Sequence, residues 1–97
     1  MPTFAKTATF KRDEASLSPA ERAALKIAVA KFVEDLSSGH GFRRGLRVKG
    51  VQAAKGVFEM TWADDGRCTF QYGPPLRNEE PHVIWRRVGG HDIFSSP

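Results

Sequence analysis

The sequence predicts an α+β fold, and two patterns carry the prediction. The first half holds one long, well-capped amphipathic helix, and the second half holds short β-like segments with Gly, Asp and Pro turn signals between them. A helix with one apolar face needs a surface to bury it, and the strands supply one. The expected architecture is an N-terminal helical region packed on one face of a small twisted antiparallel β-sheet. Ninety-seven residues make a single domain, 1–97, with room for one core.

The elements follow in order. Phe4 to Phe10 reads as a short edge strand and Lys11 to Leu17 as a helical turn. Ser18-Pro19-Ala20-Glu21 is a strong helix start, with Ser as N-cap, Pro at the first helical position and Glu completing a capping box. Leu25, Ala28, Val29, Phe32, Val33 and Leu36 then recur at helical spacing, and Gly39 is placed to end the helix after about five turns. Strands are expected over Leu46–Val51, Val57–Ala63, Arg67–Tyr72 and His82–Val88, with the proline-containing stretch Gly73–Pro81 as a surface connection.

Parity fixes the faces. Phe58, Met60 and Trp62 share one side of their strand, as do Cys68, Phe70 and Tyr72 of the next. If both sets face the core, Trp62 opposes Cys68, Met60 opposes Phe70 and Phe58 opposes Tyr72. Asp64-Asp65-Gly66 is then the loop, with Gly66 at a left-handed position. The opposite face carries Glu59, Thr61, Arg67, Thr69 and Gln71, joined by Arg47 and Lys49 once Leu46 and Val48 turn inward. One of Arg86 and Arg87 joins them, because strand neighbours point oppositely.

Composition narrows the class. With 40% hydrophobic and 27% charged residues the chain is neither disordered nor a disulfide scaffold, and Cys68, the single cysteine, is expected to act as a small buried hydrophobe. The N-terminus lacks an apolar signal core and no stretch approaches the length of a membrane span, so a soluble cytoplasmic protein is expected. The +4 net charge is concentrated: Phe42 to Gly56 holds Arg43, Arg44, Arg47, Lys49 and Lys55 without an acid. A basic stretch of this kind suits a phosphate-bearing partner. Three histidines and one cysteine at scattered positions carry no metal signature, and there is no phosphate-cradling glycine motif, so neither metal nor cofactor is expected. Trp62, Phe58, Phe32 and Leu36 are expected in the core, Trp85 at the border of the site, and His40 and His82 at the surface.

A capped helical region followed by Leu46-Arg47-Val48-Lys49-Gly50, Gly56-Val57-Phe58-Glu59-Met60-Thr61-Trp62 and Gly66-Arg67-Cys68-Thr69-Phe70, closing on Val88-Gly89-Gly90-His91, resembles the RelE/ParE toxin superfamily across nearly the whole chain. The resemblance implies a RelE-like fold. Relatives of RelE, YoeB and HigB are ribonucleases that cut messenger RNA, usually on the ribosome, and are neutralised by a cognate antitoxin protein; ParE relatives act on DNA gyrase. RelE and YoeB relatives begin the strand after the hairpin with an Arg-x-x-Tyr-like pattern, matched by Arg67-Cys68-Thr69-Phe70. Their basic residue after the final strand is matched by His91, and the one after a leucine before the hairpin by Lys49. The sequence departs from RelE at Glu59 and Thr61, where RelE is lysine-rich, and at Phe94, which has no phenolic hydroxyl.

Cutting RNA with its own 2′-hydroxyl needs a base, cations for the charge that builds on the phosphate, and an acid for the leaving oxygen. The resemblance implies Arg67 and Lys49, with Arg47, as the cations, and His91 as the acid, since imidazole titrates near neutrality. Glu59 is the base, a positioner of Arg67, or simply one half of an ion pair. Without the resemblance, Arg67 reads as readily as a solvated strand residue or a cross-strand ion pair as it does as a phosphate contact, and His91 as readily as a turn residue bonded to backbone as it does as an acid. Arg43, Arg44 and Lys55 are expected to contact RNA, as is one of Arg86 and Arg87. The leading expectation is a toxin that cleaves messenger RNA on the ribosome. The alternative is a non-catalytic binding toxin, either a ParE-like gyrase poison or a degenerate module that only binds its antitoxin. Convergence of Arg67, Lys49 and His91 on one exposed cleft separates them.

Overall fold

A computed structural model describes all residues, Met1–Pro97. The chain runs through β1 (Thr3–Lys6), α1 (Ala8–Ala15), α2 (Pro19–Ser38), a 3₁₀ turn (Arg44–Leu46), β2 (Lys49–Gly50), β3 (Val57–Thr61), β4 (Arg67–Gly73), β5 (His82–Gly89) and a final 3₁₀ turn (His91–Ser95). The strands form one sheet in the order β1-β5-β4-β3-β2. No helix is long and apolar enough to cross a membrane.

Helix α2 is built as its sequence demands. The Ser18 hydroxyl accepts from the Glu21 N–H at 3.1 Å while the Glu21 carboxylate accepts from the Ser18 N–H at 2.8 Å, which satisfies two of the orphan donors at the helix start. Gly39 ends it at φ 74, a left-handed position that favours glycine. Leu25, Ala28 and Phe32 are buried, and Val29, Val33 and Leu36 pack beside them. Phe32 is the centre of the core: its ring lies 5.0 Å from both Phe70 and Trp85 and stacks on Phe42 at 4.7 Å.

The sheet is mixed rather than antiparallel throughout. β1 lies at the edge, as expected, but pairs parallel with β5, Thr3 against His82 through Lys6 against Trp85. The expected strand Phe4–Phe10 is cut short because the Thr7 hydroxyl caps α1, accepting from the Phe10 N–H at 3.0 Å. The helical turn expected over Lys11–Leu17 is the latter part of that helix. Pairing with β1 also buries His82, whose Nδ1 lies 2.7 Å from the Thr3 hydroxyl, so His82 is not a surface residue; His40 is. Trp85 is core too, 3% exposed, and does not border the cleft described below.

The hairpin keeps the expected faces with a different register. Phe58 opposes Phe70, Met60 opposes Cys68 and Thr61 opposes Arg67, a slip of two residues that preserves every side-chain direction. The Trp62 N–H bonds to the Gly66 carbonyl at 3.0 Å, leaving Ala63-Asp64-Asp65 as the loop. Gly66 is there for space and not for a left-handed backbone: a Cβ on it would stand 2.6 Å from two ring carbons of Trp62. The strand expected from Leu46 is reduced to Lys49–Gly50, since Arg44–Leu46 winds into a turn that ends with Arg47 left-handed at φ 50. Leu46 is still buried and Val48 half-buried. Cys68 is wholly buried, and that burial pushes its thiol up, so it stays protonated and unreactive in the folded chain.

A β-bulge on β5 overturns the alternation of Arg86 and Arg87. Thr69 opposes Arg87 but Phe70 opposes Trp85, so Arg86 is the extra residue. Both arginines then reach the same C-terminal segment. Arg86 donates to the Pro97 carbonyl at 3.1 Å and to the Gln71 side chain, and Arg87 donates to the Ser96 carbonyl at 2.9 Å. Arg87 also donates to Asp13 at 2.7 Å, and that carboxylate accepts the Val88 N–H at 3.1 Å, which fastens α1 to the bulge.

Candidate functional site

The sheet face away from α2 is open at the β2–β3 side and covered towards β5. The final 3₁₀ turn folds back over β4 and β5, where Ile93 is 2% exposed, and Thr69 on β4 has no exposure although parity puts it on this face. Where the cover stops, a cleft of about 250 Å³ opens, lined by Arg47, Lys49, Glu59, Thr61, Arg67, His91 and Phe94. Three strands, one turn and the C-terminal turn contribute to it.

The cross-strand register explains the grouping. Lys49 opposes Glu59, Thr61 opposes Arg67, and Arg67 opposes Gly89, so the chain passes Arg67 two residues before it reaches His91. Arg47 enters because its left-handed backbone turns the chain there, a conformation uncommon for a long side chain and the kind of strain that gathers at functional sites. Arg47, Lys49 and Glu59 have no ion-pair partner, so the expectation that Glu59 is half of an ion pair is not met. Unpaired cations beside an unpaired carboxylate hold a field that a bound phosphate would complete.

Arg67 is half-buried and makes no ion pair. Its Nη1 donates to the carbonyls of Gly66 at 2.9 Å, Asp64 at 3.1 Å and Ala63 at 3.2 Å, clamping the β3–β4 loop. Those bonds use one terminal nitrogen; the rest of the planar guanidinium remains for a ligand.

His91 is not bonded to backbone either. Its Nδ1 meets the Asp65 carboxylate, and its ring lies edge-on to Phe94 at 6.0 Å between centroids. The hydrogen bond from His91 holds the Asp65 carboxyl below its ordinary value, with a smaller contribution from the charge of Arg67. The carboxylate is therefore ionised above the ordinary carboxylate pKa, and its contact with His91 is lost only as pH falls below it. With Nδ1 engaged by that carboxylate, Nε2 is the nitrogen left for a substrate.

Asp65 is the residue that sequence reasoning missed. Asp64-Asp65-Gly66 carries an obvious turn signal, which accounts for an acid without invoking a partner 26 positions away. The other expected contacts divide. Arg43 lines the neighbouring groove but is held by Glu34 at 3.1 Å and Asp35 at 2.8 Å, and its side-chain and backbone hydrogen bonds to Asp35 pull that carboxyl down to about 2. Arg44 and Lys55 are exposed and outside the cleft. Arg86 and Arg87 line a separate pocket with Thr7, Thr9, Ser96 and Pro97.

No family model matches the sequence, and no curated protein matches it. Solved structures do. YafQ from E. coli superposes with a TM-score of 0.70 at 11% identity, covering 96% of this chain and 97% of that one. A chain of the E. coli DinJ–YafQ toxin–antitoxin complex gives 0.70 at 12% identity over 95% and 94%. A chain of the RelB–RelE antitoxin–toxin complex from Methanococcus jannaschii gives 0.61 at 14% identity over 94% of each. With so little sequence in common, what is shared is the path of nearly the whole backbone: this chain has the fold of the YafQ and RelE toxins.

Proposed function

We propose that this protein is the toxin of a type II toxin–antitoxin system, an endoribonuclease that cleaves messenger RNA at the cleft of Arg47, Lys49, Glu59, Arg67 and His91. The observation that carries the reading is the convergence of Arg67, Lys49 and His91 on one exposed cleft, with Asp65 bonded to the imidazole. In this account the substrate phosphate seats against Arg67 and Lys49, with Arg47 beside them, and these cations stabilise the charge of the phosphorane-like transition state. Glu59 accepts the 2′-hydroxyl proton. His91 donates from Nε2 to the leaving 5′-oxygen, and Asp65 stabilises the ring as it holds that proton. The attack forms a 2′,3′-cyclic phosphate and breaks the bond to the 5′-oxygen. Every group required is a side chain of the cleft, so no cofactor is invoked.

A protein this small offers few contacts to position an RNA chain, and a ribosome would supply the alignment. The exposed cations Arg44 and Lys55 are suited to ribosomal RNA in that setting. A cognate antitoxin protein, as in the complexes of the structural neighbours, would hold the toxin inactive in the cytoplasm.

Expression in cells of wild type and Arg67→Ala, with messenger 5′ ends mapped, tests the reading. Wild type is expected to arrest growth and create new 5′ ends, and Arg67→Ala to abolish both. Growth arrest without new ends would instead identify a binding toxin, such as a gyrase poison.

A further inference from the structure

The cleft does not end at Arg67. A second groove of about 370 Å³ shares Arg47, Thr61 and Arg67 with it and continues to the exposed flank of α2. There the walls change character: Ala24, Ile27 and Trp62 are apolar, and Lys31 stands among them without an ion-pair partner. Ile27 is 59% exposed, a large apolar side chain on the helix face opposite the core stripe. Trp62 is nine-tenths buried, yet its indole N–H finds no acceptor in the protein, a costly state for a buried donor.

We infer that this groove seats a nucleotide flanking the scissile phosphate, its base against Ile27 and Ala24 and its phosphate between Lys31 and Arg47. The inference rests on the reading of the cleft as a ribonuclease site and adds where the RNA chain goes next. The volume falls within the roughly 300–1,000 Å³ of small-ligand sites. The apolar patch of Ala24, Ile27 and Trp62 beside Lys31 matches the two faces of a nucleotide, and the shared residues make the path continuous with the cleft. Trp62 lines the groove, so its indole resonance reports on what enters there.

The test titrates the purified protein with a short 2′-O-methyl oligoribonucleotide, which binds but cannot be cut. Binding is read by anisotropy and by the indole N–H resonance of Trp62, one of two tryptophans in the chain. Wild type should show that resonance shifting with saturation, and Ile27→Asp and Lys31→Glu should each weaken binding about tenfold. Both positions are exposed, so the fold tolerates them. If both groove variants bind normally while His91→Ala has lost cleavage, the groove proposal is wrong and the nuclease reading survives. If the groove variants lose binding but wild type never cleaves RNA, the groove stands and the nuclease reading fails. If Ile27→Asp leaves RNA binding intact and abolishes neutralisation by the antitoxin, the face belongs to a protein partner and the proposal is overturned.

Discussion

His91→Ala is expected to lower RNA cleavage about 100- to 10,000-fold, the usual contribution of a positioned general acid. The protein should fold as before, because the side chain is 56% exposed and its polar contact is with Asp65, itself 76% exposed. Single-turnover cleavage of a mapped messenger site, with circular dichroism to confirm the fold, checks both halves. Asp65→Asn separates orientation from chemistry. It keeps the shape of the carboxylate but not its charge, so it should cost less than His91→Ala and move the pH profile of what activity remains. A purely structural role for Asp65 would lower the rate without moving that profile.

The largest stability effect is expected at Phe32→Ala. Phe32 has no exposure and packs against Phe42, Phe70 and Trp85, so its removal takes the contact between α2 and the sheet from the centre of the core. Losing a buried phenylalanine costs about 3–5 kcal/mol. That is a large share of the roughly 5–15 kcal/mol that holds a small domain together. Thermal unfolding should fall by about 4–8 °C for each kcal/mol lost. A shift of only a degree or two would mean that the helix is held by something other than this cluster.

What the sequence made legible was local. Ser18, Pro19, Glu21 and Gly39 bound α2 because capping is decided within a few residues. Side-chain faces of β3 and β4 were legible because burial enforces parity. Their register was not: a slip of two keeps every face, and the deciding fact, the Trp62 ring over Gly66, is a packing contact invisible in one dimension. The direction of β1 depended on a partner almost eighty residues away. The bulge at Arg86 broke an alternation rule that holds only for regular strands.

The candidate site divides the same way. Lys49, Glu59 and Arg67 follow from parity on adjacent strands, and Arg47 reaches the cleft through a turn that parity alone would not have placed there. His91 came from resemblance, and its meeting with Asp65 from the closure of the C-terminal turn over the hairpin loop. Arg67 ties these together, since the loop it clamps is the one that carries Asp65.

The central claim is that this cleft cuts RNA through the RNA's own 2′-hydroxyl. The direct measurement places a single 2′-deoxynucleotide at the mapped cleavage position and follows cleavage by the wild-type protein on programmed ribosomes. The account predicts that the unmodified message yields a 2′,3′-cyclic phosphate end and that the substituted message is not cut there. Cleavage of the substituted message at the same position would contradict it.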